Sequence, residues 1–268
     1  EAEREYRICL ALEPANAEAA VNLGILLSYA GNDTEAEKIF TKALELGVDA
    51  IELDVQLSRD GEAMIFHDED LRRTTGVKGW LKDLTAEELR QLDASGEFKG
   101  VHGRNLIPTL DEYLDLTAAL DVITLIELKN SFIVYPGLEE KVANRVAAYG
   151  QNEKVILYSA NHRSVKYFGS LAPEVKLLFP FDNWIYDYGA YCRSHGISAC
   201  MPYFRALDSG IVTEIKEHGV SLYPWTVDDP ADMRAMIELG VDGMLTNRPD
   251  LLKEILSQNR EPRTGNPS

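Results

Sequence analysis

From Val48 onward, apolar residues fall in short runs of strand length separated by stretches with helical spacing. The runs predict strands at 50–57, 63–67, 123–129, 154–159, 175–179, 197–202, 220–226 and 242–246. Helical stripes lie between most of them, among them 137–149, 209–218 and 231–239. Alternation of this kind implies right-handed β-α-β units and a parallel sheet. One connection breaks the rule. Between the first two strands stand only Ser58-Arg59-Asp60-Gly61-Glu62, too short for a crossover and carrying the Asp-Gly of a hairpin turn. The segment ending at Phe66-His67 should therefore run antiparallel, as a flap. Setting it aside leaves seven parallel strands, one short of a (β/α)8 barrel.

Residues 1–46 read as helix throughout. Pro14 stands where it opens a helix, Gly31 where it closes one, and Asn32, Asp33 and Thr34 can each cap the next. The order Tyr6, Leu12-Glu13-Pro14, Ala17-Glu18-Ala19, Asn22-Leu23-Gly24, Gly31, Ala36-Glu37, Phe40 and Ala43-Leu44 resembles a tetratricopeptide repeat. A single repeat cannot cover its own apolar face, since about three are needed to stand alone. The expectation is that this face packs on the following domain, on further repeats upstream, or on a protein partner or second copy. The chain thus divides into a helical segment at 1–46, a barrel at 47–258 and a polar tail at 259–268.

Composition narrows the partners. Among 268 residues, 44 acidic against 27 basic side chains give a net charge of −17. A nucleic-acid backbone or an anionic membrane surface would be repelled, and an anionic substrate would need a local cation. No run of eighteen apolar residues offers a membrane span. The three cysteines, Cys9, Cys192 and Cys200, form no C-x-x-C pair and read as free thiols in a reducing, cytoplasmic setting. The chain opens at Glu1 without an initiator Met or a signal core, which fits a fragment or a processed form.

Two strands carry charge where a parallel strand should be apolar on both faces. In Ala50–Leu57, Ile51, Leu53 and Val55 share one face while Glu52, Asp54 and Gln56 share the other. In 124–129, Glu127 and Lys129 share a face. An isolated E-x-D is ordinarily a surface or salt-bridged pair. Two carboxylates turned into a barrel would each carry a penalty of several kcal/mol if ionised and unpaired. A hard divalent cation resolves this, and Mg²⁺ or Ca²⁺ fits better than zinc because no cysteine or histidine is interleaved. The repetition at Glu127, at the strand end where barrel enzymes keep their active groups, strengthens that reading, and Lys129 supplies the cation an anionic substrate needs. His67, at the end of the flap, reads as a general acid or base, or else as a histidine satisfied by Asp68 or a backbone carbonyl. His195 and His218 precede a Gly at helix ends, His162 opens a helix, and His102 with Arg104 lies in a loop.

Gly47 to Val55, Asp60-Gly61, Phe66-His67-Asp68, Leu71 and Arg73-Thr74-Thr75-Gly76 together resemble the glycerophosphodiester phosphodiesterase family. So do Ile107 to Glu112, Ile126-Glu127-Leu128-Lys129, Asn161-His162, Trp225-Thr226-Val227 and Gly240 to Pro249, in the same order. The resemblance runs from about 40 to 256. It implies a TIM-type barrel of the PLC-like phosphodiesterase kind that hydrolyses glycerophosphodiesters to an alcohol and glycerol 3-phosphate with a divalent ion. By position it makes Glu52, Asp54 and Glu127 the metal ligands, His67 one of two acid/base histidines, Lys129 a phosphate contact and Trp225 a wall for the glycerol.

The same family begins with a strand ending in His-Arg-Gly, which supplies the other histidine, and this sequence has no such motif. At the corresponding place stands Ile25 to Gly31, within the repeat-like helices, so the first barrel strand is expected to be missing. Loss of one of two acid/base groups forfeits on the order of 10²- to 10⁴-fold in rate. The expectation is an impaired hydrolase. The alternative is an inactive phosphodiester-binding or scaffold module that works through its helical segment.

Overall fold

A computed structural model describes residues 48–96 and 106–260. The segment at 1–46 expected to be repeat-like, the place where the first barrel strand is expected to be missing, the loop with His102 and Arg104, and most of the 259–268 tail lie outside the described residues. Among the described residues eight strands follow in order: β1 Ala50–Leu57, β2 Ala63–Ile65, β3 Ile123–Leu128, β4 Val155–Tyr158, β5 Lys176–Leu177, β6 Phe179–Phe181, β7 Ala199–Pro202 and β8 Ser221–Leu222. The α-helices are α1 Arg72–Thr75, α2 Ala86–Arg90, α3 Leu110–Thr117, α4 Leu138–Ala148, α5 His162–Leu171, α6 Tyr188–Ser194, α7 Ser209–Glu217, α8 Pro230–Leu239 and α9 Pro249–Arg260. The described residues form two compact units, the first within Asp49–Pro180 and the second beginning at Phe181.

In the first unit the sheet order is β2-β1-β3-β4-β5. β1, β3, β4 and β5 are parallel neighbours, and β2 runs antiparallel to β1 with Val55 opposite Ile65 and Leu57 opposite Ala63. The flap therefore forms as its five-residue connection requires. Gly61 turns the corner at φ 81°, a left-handed conformation that suits glycine, while Asp60 accepts from Ser58 Oγ at 2.6 Å and from the Ala86 amide at 2.9 Å. Two helix starts are closed by reciprocal capping boxes, Thr85 with Glu88 at α2 and Thr109 with Glu112 at α3.

Period-two alternation sorts the sheet into two faces. Leu53, Val55 and Leu57 of β1, Ile126 and Leu128 of β3, and Val155 and Leu157 of β4 pack against Leu110 and Leu114 of α3, Val142 and Val146 of α4 and Phe168 of α5. This apolar layer consumes one face of every central strand. The opposite face is left to Glu52, Asp54, Gln56, Glu127 and Tyr158, with Lys129 just past the end of β3.

In the second unit the sheet order is β6-β7-β8, with Ala199 opposite Ser221 and Cys200 opposite Leu222 in parallel register. The run at 242–246, expected as a strand, forms no ladder. It remains tied to its neighbours, because Asp242 N donates to Leu222 O at 3.0 Å and Leu245 N to Pro224 O at 2.9 Å. Pro224, which has no amide hydrogen to give, sits at the place where the ladder would continue. Phe204, Val227, Met233, Met236 and Ile255 form the core under α8 and α9. His195 and His218 follow the last turns of α6 and α7, as their spacing predicts, each ring Nδ1 lying 2.9 Å from a carbonyl of that turn.

Candidate active site

Parallel register brings the charged face into line. Asp54 of β1 pairs with Glu127 of β3, and Glu127 pairs with Tyr158 of β4, so three adjacent strands present a carboxylate, a carboxylate and a phenol at one level. Glu52 lies two residues earlier on β1, on the same face. Glu52, Asp54 and Glu127 each bring a carboxylate oxygen within 4.8 Å of the other two. Lys129 reaches back between them, its Nζ 3.1 Å from Asp54 Oδ1 and 3.0 Å from Glu127 Oε2. Lys129, Asp54 and Glu127 are only 14–16% exposed, whereas Glu52 is exposed.

Three carboxylates and one ammonium leave a surplus of two negative charges when all are ionised. Desolvation pushes the Glu52 carboxyl up to about 8, helped by the charge of Asp54 and opposed by the hydroxyl of Tyr158. Glu52 keeps surface open to solvent although protein crowds its carboxylate, so water moderates that effect. Glu127 is also raised, first by burial. Burial pulls Lys129 down, but Asp54 and Glu127 outweigh it and hold its ammonium above the ordinary range. A cluster of hard oxygen donors that resists carrying its own charge is chemically suited to a divalent cation.

The flap delivers His67 by way of Gln56. Gln56 is fully buried. Its Nε2 donates to Phe66 O at 2.7 Å, Asp68 O at 2.9 Å and His67 O at 3.3 Å, while its Oε1 accepts from Tyr135 OH at 2.7 Å. The three backbone carbonyls around His67 are thus gathered onto one side chain of β1. The imidazole itself is 64% exposed, with Nδ1 2.6 Å from Asp68 Oδ1. Asp68 is gripped in turn by Arg73, Nε at 2.5 Å and Nη2 at 3.0 Å, which together with His67 holds its carboxyl below the usual range. His67 is therefore both satisfied by Asp68 and largely open to solvent. A cleft of about 540 Å³ lined by Asp68, Glu69, Asp70, Arg72, Arg73 and Trp80 opens beside Asp68.

Of the residues singled out from sequence, Glu52, Asp54, Glu127 and Lys129 converge, and His67 lies on the flap paired to β1. Trp225 belongs to the second unit, where its Nε1 donates to Met201 O at 2.9 Å and its ring meets Tyr203 at 5.9 Å between centroids. Tyr158, which donates to Glu52 Oε1 at 2.7 Å, escapes sequence reading. In Val155-Ile156-Leu157-Tyr158 it looks like core, and only its place at the end of a strand beside the charged ones hints otherwise.

The glycerophosphoryl diester phosphodiesterase family model matches residues 37–251. This chain belongs to that family. It is 38% identical over 213 residues to a glycerophosphodiester phosphodiesterase of Caldanaerobacter subterraneus subsp. tengcongensis, covering 80% of this chain and 88% of that protein. It is 36% identical to one of Bacillus altitudinis, covering 83% and 92%. Among solved structures, a glycerophosphodiester phosphodiesterase of Agrobacterium tumefaciens superposes with a TM-score of 0.67 at 28% identity, over 81% of this chain and 91% of that one. A phosphodiesterase of Oleispira antarctica in complex with sn-glycerol-3-phosphate gives 0.71 at 24% identity, over 82% and 90%. The fold these likenesses establish is the mixed α/β, TIM-type barrel. Among the described residues no helix is long and apolar enough to cross a membrane.

Proposed function

We propose that this glycerophosphoryl diester phosphodiesterase family member is a metal-dependent hydrolase of glycerophosphodiesters, releasing an alcohol and glycerol 3-phosphate. The convergence of Glu52, Asp54 and Glu127 around Lys129 carries the reading. These three carboxylates would hold one Mg²⁺ or Ca²⁺. When bound, such an ion polarises phosphoryl oxygens and offsets their charge. Lys129 supplies the cation that lets a chain of net charge −17 accept a phosphodiester. With Nδ1 turned to Asp68, His67 works through Nε2, passing a proton to the leaving alcohol oxygen or taking one from water. Asp68, fixed by Arg73, sets the ring's orientation, as the third group of a triad does. The cleft beside Asp68 has room for a small alcohol, and Trp225 is assigned as the wall for the glycerol on the family's pattern. Buried free thiols at Cys192 and Cys200 support a reducing, cytoplasmic setting.

A second reading rests on one observation, the absence of a His-Arg-Gly motif. With a single acid/base histidine, turnover is reduced by about 10²- to 10⁴-fold relative to a two-histidine enzyme. At the limit the barrel is a phosphodiester-binding module, with the segment at 1–46 as its contact to a partner or a second copy. Hydrolysis of glycerophosphocholine with Mg²⁺ or Ca²⁺ separates the readings. The expected result is a low, EDTA-sensitive rate that falls at least 10²-fold further in His67→Ala. Equal, background rates for the wild type and His67→Ala would leave only the binding module. Divalent binding that survives the combined Glu52→Ala, Asp54→Ala and Glu127→Ala substitutions would overturn the metal assignment.

A further inference from the structure

Tyr158 is 4% exposed and ends β4, with β3 between it and β1. Two strand spacings separate β4 from β1 and Tyr158 is level with Asp54, two residues past Glu52, so roughly 11–12 Å of backbone distance lies between them, which a tyrosine and a glutamate extended toward each other can span. The phenol does so, donating to Glu52 Oε1 at 2.7 Å, and lies against Glu127 as well. A buried phenol needs a partner, and this one has taken a carboxylate oxygen of the acidic cluster rather than a backbone carbonyl. One of the two Glu52 oxygens is therefore engaged by the protein itself.

That engagement bears on which ion fits. Ca²⁺ takes six to eight oxygens in flexible geometry and often claims both oxygens of a carboxylate. Mg²⁺ demands six in near-octahedral array and is satisfied by single oxygens and water. We propose that Tyr158 is a positioning residue that keeps Glu52 a one-oxygen ligand and thereby biases the site toward Mg²⁺ over Ca²⁺. This role rests on the metal site assigned above and acts through Glu52, not on substrate. Partners that orient metal ligands in this way are worth about 10- to 100-fold in metal affinity.

Calorimetric titration of the full chain with MgCl₂ and with CaCl₂ tests it. In Tyr158→Phe the Mg²⁺ affinity should fall about 10-fold or more while the Ca²⁺ affinity changes by less than about 3-fold, so the preference narrows or inverts. Tyr113→Phe is the control, since it removes another buried phenol of the same unit whose hydroxyl meets Thr124 Oγ1 at 3.1 Å. Both affinities should be unchanged there. Equal losses for the two ions in Tyr158→Phe, or no loss, would overturn the positioning role, because general loosening of the site does not discriminate between ions. A wild type that binds neither ion would remove the metal site itself, and this role with it. Circular dichroism and thermal melts of both variants in EDTA show whether each is folded. If Tyr158→Phe is not, the same pair of titrations on Tyr158→Trp, which keeps a large ring but cannot reach Oε1 in the same way, decides between the same outcomes.

Discussion

Gln56 shows how much one side chain can determine. It stands on β1 two positions after Asp54, yet it carries no charge and no chemistry; its amide collects Phe66, His67 and Asp68 carbonyls and its oxygen holds Tyr135. The catalytic candidate on the flap is thereby tied to the strand that bears two of the three carboxylates. Replacing Gln56 with Leu keeps the volume but strands a buried phenol and at least one buried carbonyl. Each orphaned group costs about 1–3 kcal/mol, so Gln56→Leu should lower unfolding free energy by at least that much in urea, with an unchanged m-value. A loss below about 0.5 kcal/mol would mean that water replaces Gln56 and that the flap is not held in this way.

At the level of elements, the strands that sequence reads best are those with the strongest alternation. β1 and β3 are expected within a residue of where they lie, and the antiparallel β2 follows from a connection too short to cross over. Their charged faces made Glu52, Asp54, Glu127 and Lys129 legible, because a carboxylate on a buried strand is an anomaly that demands a reason. Tyr158 was not legible, since a tyrosine at the end of an apolar run is unremarkable until β3 and β4 are known to be neighbours. The Asp68–Arg73 grip is likewise a product of tertiary placement. Helix packing obeys the same limit: nothing in Tyr188-Gly189-Ala190 announces that α7 crosses there. A methyl group on Gly189 would come within 2.9 Å of Ile215 Cα and 3.0 Å of Glu214 O, both on the α7 backbone, whose Glu214 carboxylate also caps α6 through the Gly189 and Ala190 amides. Gly169 of α5 would meet only the tip of Leu177, which can rotate away. Gly189→Ala should therefore destabilise by about 1–3 kcal/mol, whereas Gly169→Ala should be near neutral because the gain of up to about 1 kcal/mol in helix propensity offsets the displaced methyl. Thermal or chemical melts that rank the two in the opposite order would show that α6 and α7 are not packed backbone to backbone.

For the molecule as a whole, the surplus of 17 negative charges raises the question of whether divalent ions stabilise it by general screening or through one site. The pH dependence tells these apart. Glu52 and Glu127 hold protons in the folded protein that the unfolded chain releases near pH 4.5. A carboxyl raised in this way contributes stability that is fully present below about pH 4.5 and is lost as the pH climbs through its folded value, for Glu52 about 8. In EDTA, the wild type should thus lose stability relative to Glu52→Gln between pH 5 and 8. A bound cation requires the deprotonated carboxylates, so its affinity should grow over the same window and oppose that loss. With Mg²⁺ at about 100 times its dissociation constant the gain is about 2.7 kcal/mol, or roughly 5–10 °C in Tm for a chain of this size. That gain should be seen at pH 8, be small at pH 5, and be absent at both in Glu52→Gln at matched ionic strength. General screening would instead stabilise wild type and Glu52→Gln alike, and an equal Mg²⁺ shift in the two at pH 8 would exclude the cluster as the place where the ion acts.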